Sequence, residues 1–146
     1  MWVIVHAVSG MALGAALGSA PVGAPLWAIV LVALVAHALL DIVPHWDYTR
    51  RPRVWAWALG DTMAAALALG LAWLVLGQPG YVVWAGIVSA APDLDVVDVV
   101  LPLKTHRRLF PSHWRPYPHG KTGALPGVLT QGAVVVGSMV VMRLAL

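Results

Sequence analysis

The chain has no cysteine, a single phenylalanine, and charged residues at only 10% of its 146 positions. Glutamate is also missing, so all six acidic residues are aspartates. Without cysteine, disulfides, thiolate metal sites and cysteine nucleophiles are excluded. Without glutamate there is no His-Glu-x-x-His zinc helix. Soluble domains carry about 25% charged residues, and the shortage of charge here leaves no room for a separate soluble domain. What remains is 60% hydrophobic, with a mean hydropathy of +0.82. The composition predicts an all-α integral membrane bundle, one transmembrane domain over residues 1–146.

Five apolar runs are long enough to span a bilayer, at about 2–20, 25–43, 54–76, 81–103 and 124–142. The first has the length of a signal peptide. Its start, Met1-Trp2-Val3-Ile4-Val5-His6, lacks a positive n-region, which predicts a retained helix. Gly10, Gly14 and Gly18 recur every four residues along it and offer a face for close packing of another helix. Pro44 ends the second run, because it removes a backbone donor and pushes Val43 out of helical geometry. Gly77-Gln78-Pro79-Gly80 is a turn.

Nine Lys and Arg against six Asp give a net charge of +3. In a membrane protein this excess reads as topology and contact with anionic lipid headgroups, not as nucleic-acid binding. Five spans place the loop at Arg50–Arg53 and the polar segment 104–123 on one side, with eight of the nine basic residues. The positive-inside rule makes that side cytoplasmic, with the N-terminus in and the C-terminus out. Trp46, Tyr48, Trp55 and Trp57 form the inner aromatic belt, and Trp27, Trp73, Tyr81 and Trp84 the outer one.

This topology gathers the ionisable residues. His37 and Asp41 lie four apart on one helical face near the inner end of the second span. His6 and Asp61 lie early in the first and third spans, and Asp93 and Asp95 late in the fourth. All six fall within roughly 5 to 15 Å of the cytoplasmic boundary at helical rise, and the outer half of the bundle carries no acid or histidine. Carboxylates in hydrocarbon must pair, protonate, hydrate or bind cations. His6, His37, Asp41, Asp61 and Asp93 are therefore the candidate ligands for one or two divalent ions, of which zinc, manganese and iron suit His and Asp donors. Asp95, His45 and Asp47 are the candidate ligand-orienting groups or general bases. Arg107, Arg108, Arg115 and Lys121 suit a phosphate or other anionic headgroup. His113 and His119, in a Pro-rich stretch, read as polar loop residues.

Each group also has a plainer role. The His37/Asp41 pair serves equally as an interhelical hydrogen bond, and Asp61 as a partner for a histidine or for Arg53. Pro92-Asp93-Leu94-Asp95 suits a helix-end turn with solvated acids, and the basic loop suits a topology anchor. Those roles together would put all the charges at one depth by accident.

At His6-Ala7-Val8-Ser9-Gly10, His37-x3-Asp41-x2-Pro44-His45-Trp46-Asp47 and Pro92-Asp93-Leu94-Asp95, the chain resembles small bacterial membrane proteins of uncharacterised function. More distantly it resembles the YdjM-type membrane-bound metal-dependent hydrolases. The Pro-Asp-x-Asp motif lies later here than in that group, and His106-Arg107-Arg108 lacks the following Gly and close second His. The resemblance implies an enzyme of the bacterial cytoplasmic membrane. The expectation is a metal-dependent hydrolase acting at the cytoplasmic face, on a phosphoester of a lipid or isoprenoid. Its rivals are an ion- or proton-relaying protein and a non-catalytic subunit of a membrane complex, with a homo-oligomer or a membrane partner. Haem ligation by His6 and His37 is a thinner alternative.

Overall fold

In the computed structural model, residues 1–20, 23–49, 51–96 and 108–146 are described. The described residues form five α-helices and no sheet: α1 (Val3–Gly18), α2 (Leu26–Ile42), α3 (Val54–Gly70), α4 (Gly80–Ala90) and α5 (Ala124–Ala145). Two of these helical stretches, Val54–Val75 and Ala124–Ala145, are long and apolar enough to cross a membrane. Val3–Gly18 and Leu26–Ile42 are shorter apolar helices.

The bundle is organised around α1, which touches all four other helices. Almost every residue from Val5 to Ala15 is buried. The glycine face explains how α4 comes so close. A Cβ on Gly10 would strike the Ala85 carbonyl and Ser89, and one on Gly14 would strike Ala85 and Val82. Below that seam Val8, Met11, Ala15, Ala72, Val82 and Val83 form the apolar core. The outer faces are the reverse of a soluble protein's, with Trp27, Leu31, Leu39, Leu67 and Leu129 all exposed.

The helix boundaries follow local chemistry. Val43 is extended (φ −62°, ψ 137°) and α2 stops there, as the proline after it requires. At the end of α3 the ladder widens to a π turn over Leu71–Val75, and Gly77 then takes φ +60°, a conformation glycine adopts without strain. The fourth run departs from the expected helix to residue 103. Its α-helix ends at Ala90 and tightens to a 3₁₀ turn over Ala91–Val96. Pro92 brings no N–H to the ladder, and the short acidic run behind it favours a turn. Residues 97–103 of that run lie outside the described residues.

Segment 108–123 does not trail away from the bundle. Gly120 N–H donates to the Asp41 carbonyl at 2.8 Å, His45 N–H donates to the Gly120 carbonyl at 2.6 Å, and Thr122 N–H donates to the His45 carbonyl at 3.0 Å. The Tyr117 hydroxyl donates to the Ala38 carbonyl at 2.6 Å. A side chain at Gly120 would collide with the Ile42 and Val43 carbonyls, so only glycine lets this strap lie flat over the end of α2.

The glycine seam makes a measurable contrast. Gly14→Leu overpacks the α1–α4 contact and should cost about 1–3 kcal/mol. Gly132→Ala, whose Cβ would meet nothing, should be neutral or slightly stabilising, by up to about 1 kcal/mol. Thermal unfolding of the two variants in the same detergent checks this; equal midpoints would contradict the packing.

Candidate metal centre

Four segments deliver ligand-type side chains to one point. His6 stands one turn into α1, and His37 and Asp41 occupy successive turns of α2. Asp93 sits in the 3₁₀ turn Ala91–Val96, and His113 ends a second 3₁₀ turn, Pro111–His113, inside the strap. His6, His37 and Asp41 are at most 1% exposed.

The spacing is that of ligands around a cation. His37 Nε2 lies 3.3 Å from Asp41 Oδ2, and His6 Nε2 lies 3.4 Å from Asp41 Oδ1. His113 Nε2 lies 3.7 Å from Asp41 Oδ2 and 3.8 Å from Asp93 Oδ1, and His6 Nε2 lies 3.9 Å from Asp93 Oδ2. Donors at about 2.0–2.2 Å from a tetrahedral zinc ion stand about 3.3–3.6 Å from one another. Two overlapping triads, His6/His37/Asp93 and His37/Asp41/His113, keep their ligand atoms within 4.8 Å of each other. These buried His and Asp groups could hold a metal ion.

Hydrogen bonding sharpens the fit. His37 Nδ1–H donates to the Ser89 carbonyl at 2.7 Å, which orients the ring so that Nε2 faces Asp41 Oδ2. His6 Nε2, His37 Nε2, Asp41 Oδ2 and Asp93 Oδ2 are all buried without a hydrogen-bond partner. Orphaned buried polar atoms are rare, and divalent ions held by the two triads would satisfy them. The Met1 ammonium already lies 2.9 Å from Asp41 Oδ1, a cation at the same carboxylate.

Behind the ligands stands a supporting layer. Asp95 Oδ2 accepts the Leu109 and Phe110 N–H groups at 2.7 Å each and faces His113 Nδ1 at 3.7 Å. Arg108 donates to the Asp95 carbonyl. Burial pushes the His113 imidazole down to about 4, with the carboxylate of Asp41 opposing it, so the ring is a neutral donor at physiological pH.

The sequence-derived assignments divide. His6, His37, Asp41 and Asp93 come together, and Asp95 lies beside His113. Asp61 does not join them: its oxygens accept the N–H groups of Val3 and Ile4 at 2.8 and 3.0 Å and the Tyr48 hydroxyl at 2.9 Å. It caps the open N-terminus of α1, where four backbone donors need partners. Asp47, a candidate base, is taken by Lys121 Nζ at 2.6 Å and Thr49 N–H at 2.8 Å. Burial alone would raise that carboxyl, but these partners hold it down to about 2. Lys121, a candidate headgroup ligand, is therefore neutralised by Asp47. His45 Nδ1–H donates to the Val43 carbonyl, and its backbone anchors the strap. Arg115 is exposed, whereas Arg108 lines the site; Arg107 lies outside the described residues.

His113 and His119 correct the polar-loop assignment. His113 is a ligand-type neighbour of Asp41 and Asp93, and His119 Nε2 lies 4.0 Å from Asp41 Oδ2. The available signal was Pro118-His119-Gly120, a turn sequence that folds the strap back onto α2.

Beside the cluster opens a cavity of about 360 Å³, lined by Asp41, Asp93, His113, His119 and Arg108 among others. It falls within the range of small-molecule sites. The chain matches no family model, no curated protein and no solved structure in the three comparisons.

A zinc titration with a competing chelator separates the layers. His113→Ala should lower affinity by more than about 100-fold, and Asp95→Asn by about 10–100-fold. Asp47→Asn, which breaks only a bridge to Lys121, should leave it within about twofold. Equal effects of all three would contradict the layered arrangement.

Proposed function

We propose that the chain is an integral membrane hydrolase that uses one or two divalent ions, zinc, manganese or iron, to cleave a phosphoester at the cytoplasmic membrane face. The observation that carries this is the set of unpartnered His6, His37, Asp41 and Asp93 atoms converging beside an open cavity. Membrane residence draws support from the exposed apolar faces of α2, α3 and α5 and from the two helices of spanning length. The cytoplasmic assignment draws on the eight basic residues in the two loops of that side.

A bound divalent ion would polarise the ester and bring the pKa of a water near neutrality. The chain's own residues do the rest. Asp95 holds the Leu109 and Phe110 N–H groups of the strap that carries His113, and stands 3.7 Å from His113 Nδ1. Arg108 brings a guanidinium to the cavity wall, suited to a phosphoryl oxygen. His119 is the most exposed histidine of the group, at 26%, while its ring reaches Asp41. It is the one placed to exchange protons with solvent, receiving the proton of the attacking water and returning it to the alcohol that leaves when the P–O bond breaks.

The confinement of the described acids and histidines to one end of the bundle favours this over ion relay, which needs groups through both halves. The test is metal content by elemental mass spectrometry on untagged, detergent-purified protein, beside a His37→Ala/Asp41→Ala double variant. Near-stoichiometric metal should be present, vanish in the variant, and accompany hydrolysis of p-nitrophenyl phosphate. Failure of the wild type to take up any of the three ions would end the hydrolase assignment.

A further inference from the structure

The two triads of the cluster share His37, which has one free nitrogen, Nε2, because its Nδ1 is bonded to the Ser89 carbonyl. If both positions fill, one of them must be completed without it. The rings give the reason. Those of His6 and His37 are stacked, with centroids 3.8 Å apart and 26° between their planes. An imidazole holds an ion in the plane of its own ring, at about 2.0–2.1 Å from the nitrogen. Planes stacked at that spacing and so nearly parallel do not meet this close to the rings. The two Nε2 atoms therefore address two points rather than one.

The unpartnered atoms divide in the same way. His6 Nε2 faces Asp93 Oδ2 at 3.9 Å, and His37 Nε2 faces Asp41 Oδ2 at 3.3 Å; all four are buried without a hydrogen-bond partner. Each pair is one imidazole nitrogen and one carboxylate oxygen. The second oxygen of each aspartate turns to the opposite pair. Asp41 Oδ1 lies 3.4 Å from His6 Nε2. Asp93 Oδ1 lies 3.8 Å from His113 Nε2, which stands 3.7 Å from Asp41 Oδ2. Both carboxylates thus reach from one point to the other. Asp41 Oδ1 already attracts a cation, the Met1 ammonium at 2.9 Å.

We infer that the cluster is a carboxylate-bridged centre for two divalent ions, with Asp41 and Asp93 as the bridges. The first ion lies between His6 Nε2, Asp41 Oδ1 and Asp93 Oδ2, and takes the place of the Met1 ammonium at Oδ1. The second lies between His37 Nε2, His113 Nε2, Asp41 Oδ2 and Asp93 Oδ1. Bridged ions of this kind stand about 3.5–4 Å apart, which matches the separation of the stacked rings. The first ion has three protein donors among the described residues, which leaves a position for water. Asp41, Asp93 and His113 line the cavity, so the bridged pair is open to a ligand from that side. The inference rests on the metal binding proposed above, not on hydrolysis, and fixes how many ions bind and which atoms hold each.

The probes are zinc and manganese, titrated separately into the untagged, chelator-stripped chain in detergent. Bound metal is read by elemental mass spectrometry, and coupling between the ions by electron paramagnetic resonance of the manganese form, with cobalt in its place if only zinc binds. The wild type should bind two equivalents and show the exchange-coupled spectrum of a bridged pair as the second one enters. His6→Ala removes a donor of the first ion alone, so it should keep one equivalent with an uncoupled spectrum. The ion it keeps shows that the variant is folded. Saturation of the wild type below two equivalents with both metals would overturn the inference, as would two equivalents without coupling. So would a His6→Ala chain that unfolds cooperatively in detergent yet holds no ion. The wild-type stoichiometry and spectrum decide the matter even if that variant does not fold. A coupled pair without hydrolysis of p-nitrophenyl phosphate would support the two-ion centre and remove only the hydrolase assignment. Hydrolysis by a chain that saturates with one ion would do the reverse.

Discussion

Asp41 sits 1% exposed among the imidazoles of His6, His37 and His113, and the rest of the molecule is arranged around that buried charge. An ionised carboxylate taken out of water costs several kcal/mol even after relaxation. The Met1 ammonium, 2.9 Å from Oδ1, offsets part of that cost, while Oδ2 is left without a hydrogen-bond partner. His37 is held in place by its Nδ1–H bond to the Ser89 carbonyl. The buried His and Asp groups around Asp41 could hold a metal ion, which would compensate the remaining charge.

Holding that geometry takes support from every direction. The glycine seam brings α1 against α4, so that His6 and the Asp93 turn share a level. Asp61 takes the first backbone donors of α1 and thereby fixes where the helix, and His6 one turn along it, begins. Backbone bonds through Gly120 and His45 clamp the strap that carries His113 and His119. Asp47 and Lys121 close the same clamp with an ion pair on its solvent side. Several acids that look alike in sequence therefore do different work. Asp41 and Asp93 present unpartnered oxygens to the centre, whereas Asp61 and Asp47 spend theirs on backbone donors and a lysine.

The placement of the site matters as much as its composition. A charged cluster at one end of an apolar bundle, with its cavity walled by α3, meets water on one side and an apolar surface on the other.

Composition and spacing alone determined the helical class, the approximate helix positions and the coincidence of His6, His37, Asp41 and Asp93. These depend on short-range rules, the helical repeat and the cost of charge in an apolar run, that operate within a few residues. The i, i+4 pair of His37 and Asp41 and the break at Pro44 are legible for that reason. The tertiary structure decided the rest. Whether Asp61 meets an ion or the donors of α1, and whether Asp47 is a base or the partner of Lys121, depends on which chain segment arrives opposite. The histidines of the strap show this most clearly: His113 reaches Asp41 from 72 positions away because Gly120 lets the backbone lie across α2. No local pattern encodes a contact of that range; it exists only once the helices have packed.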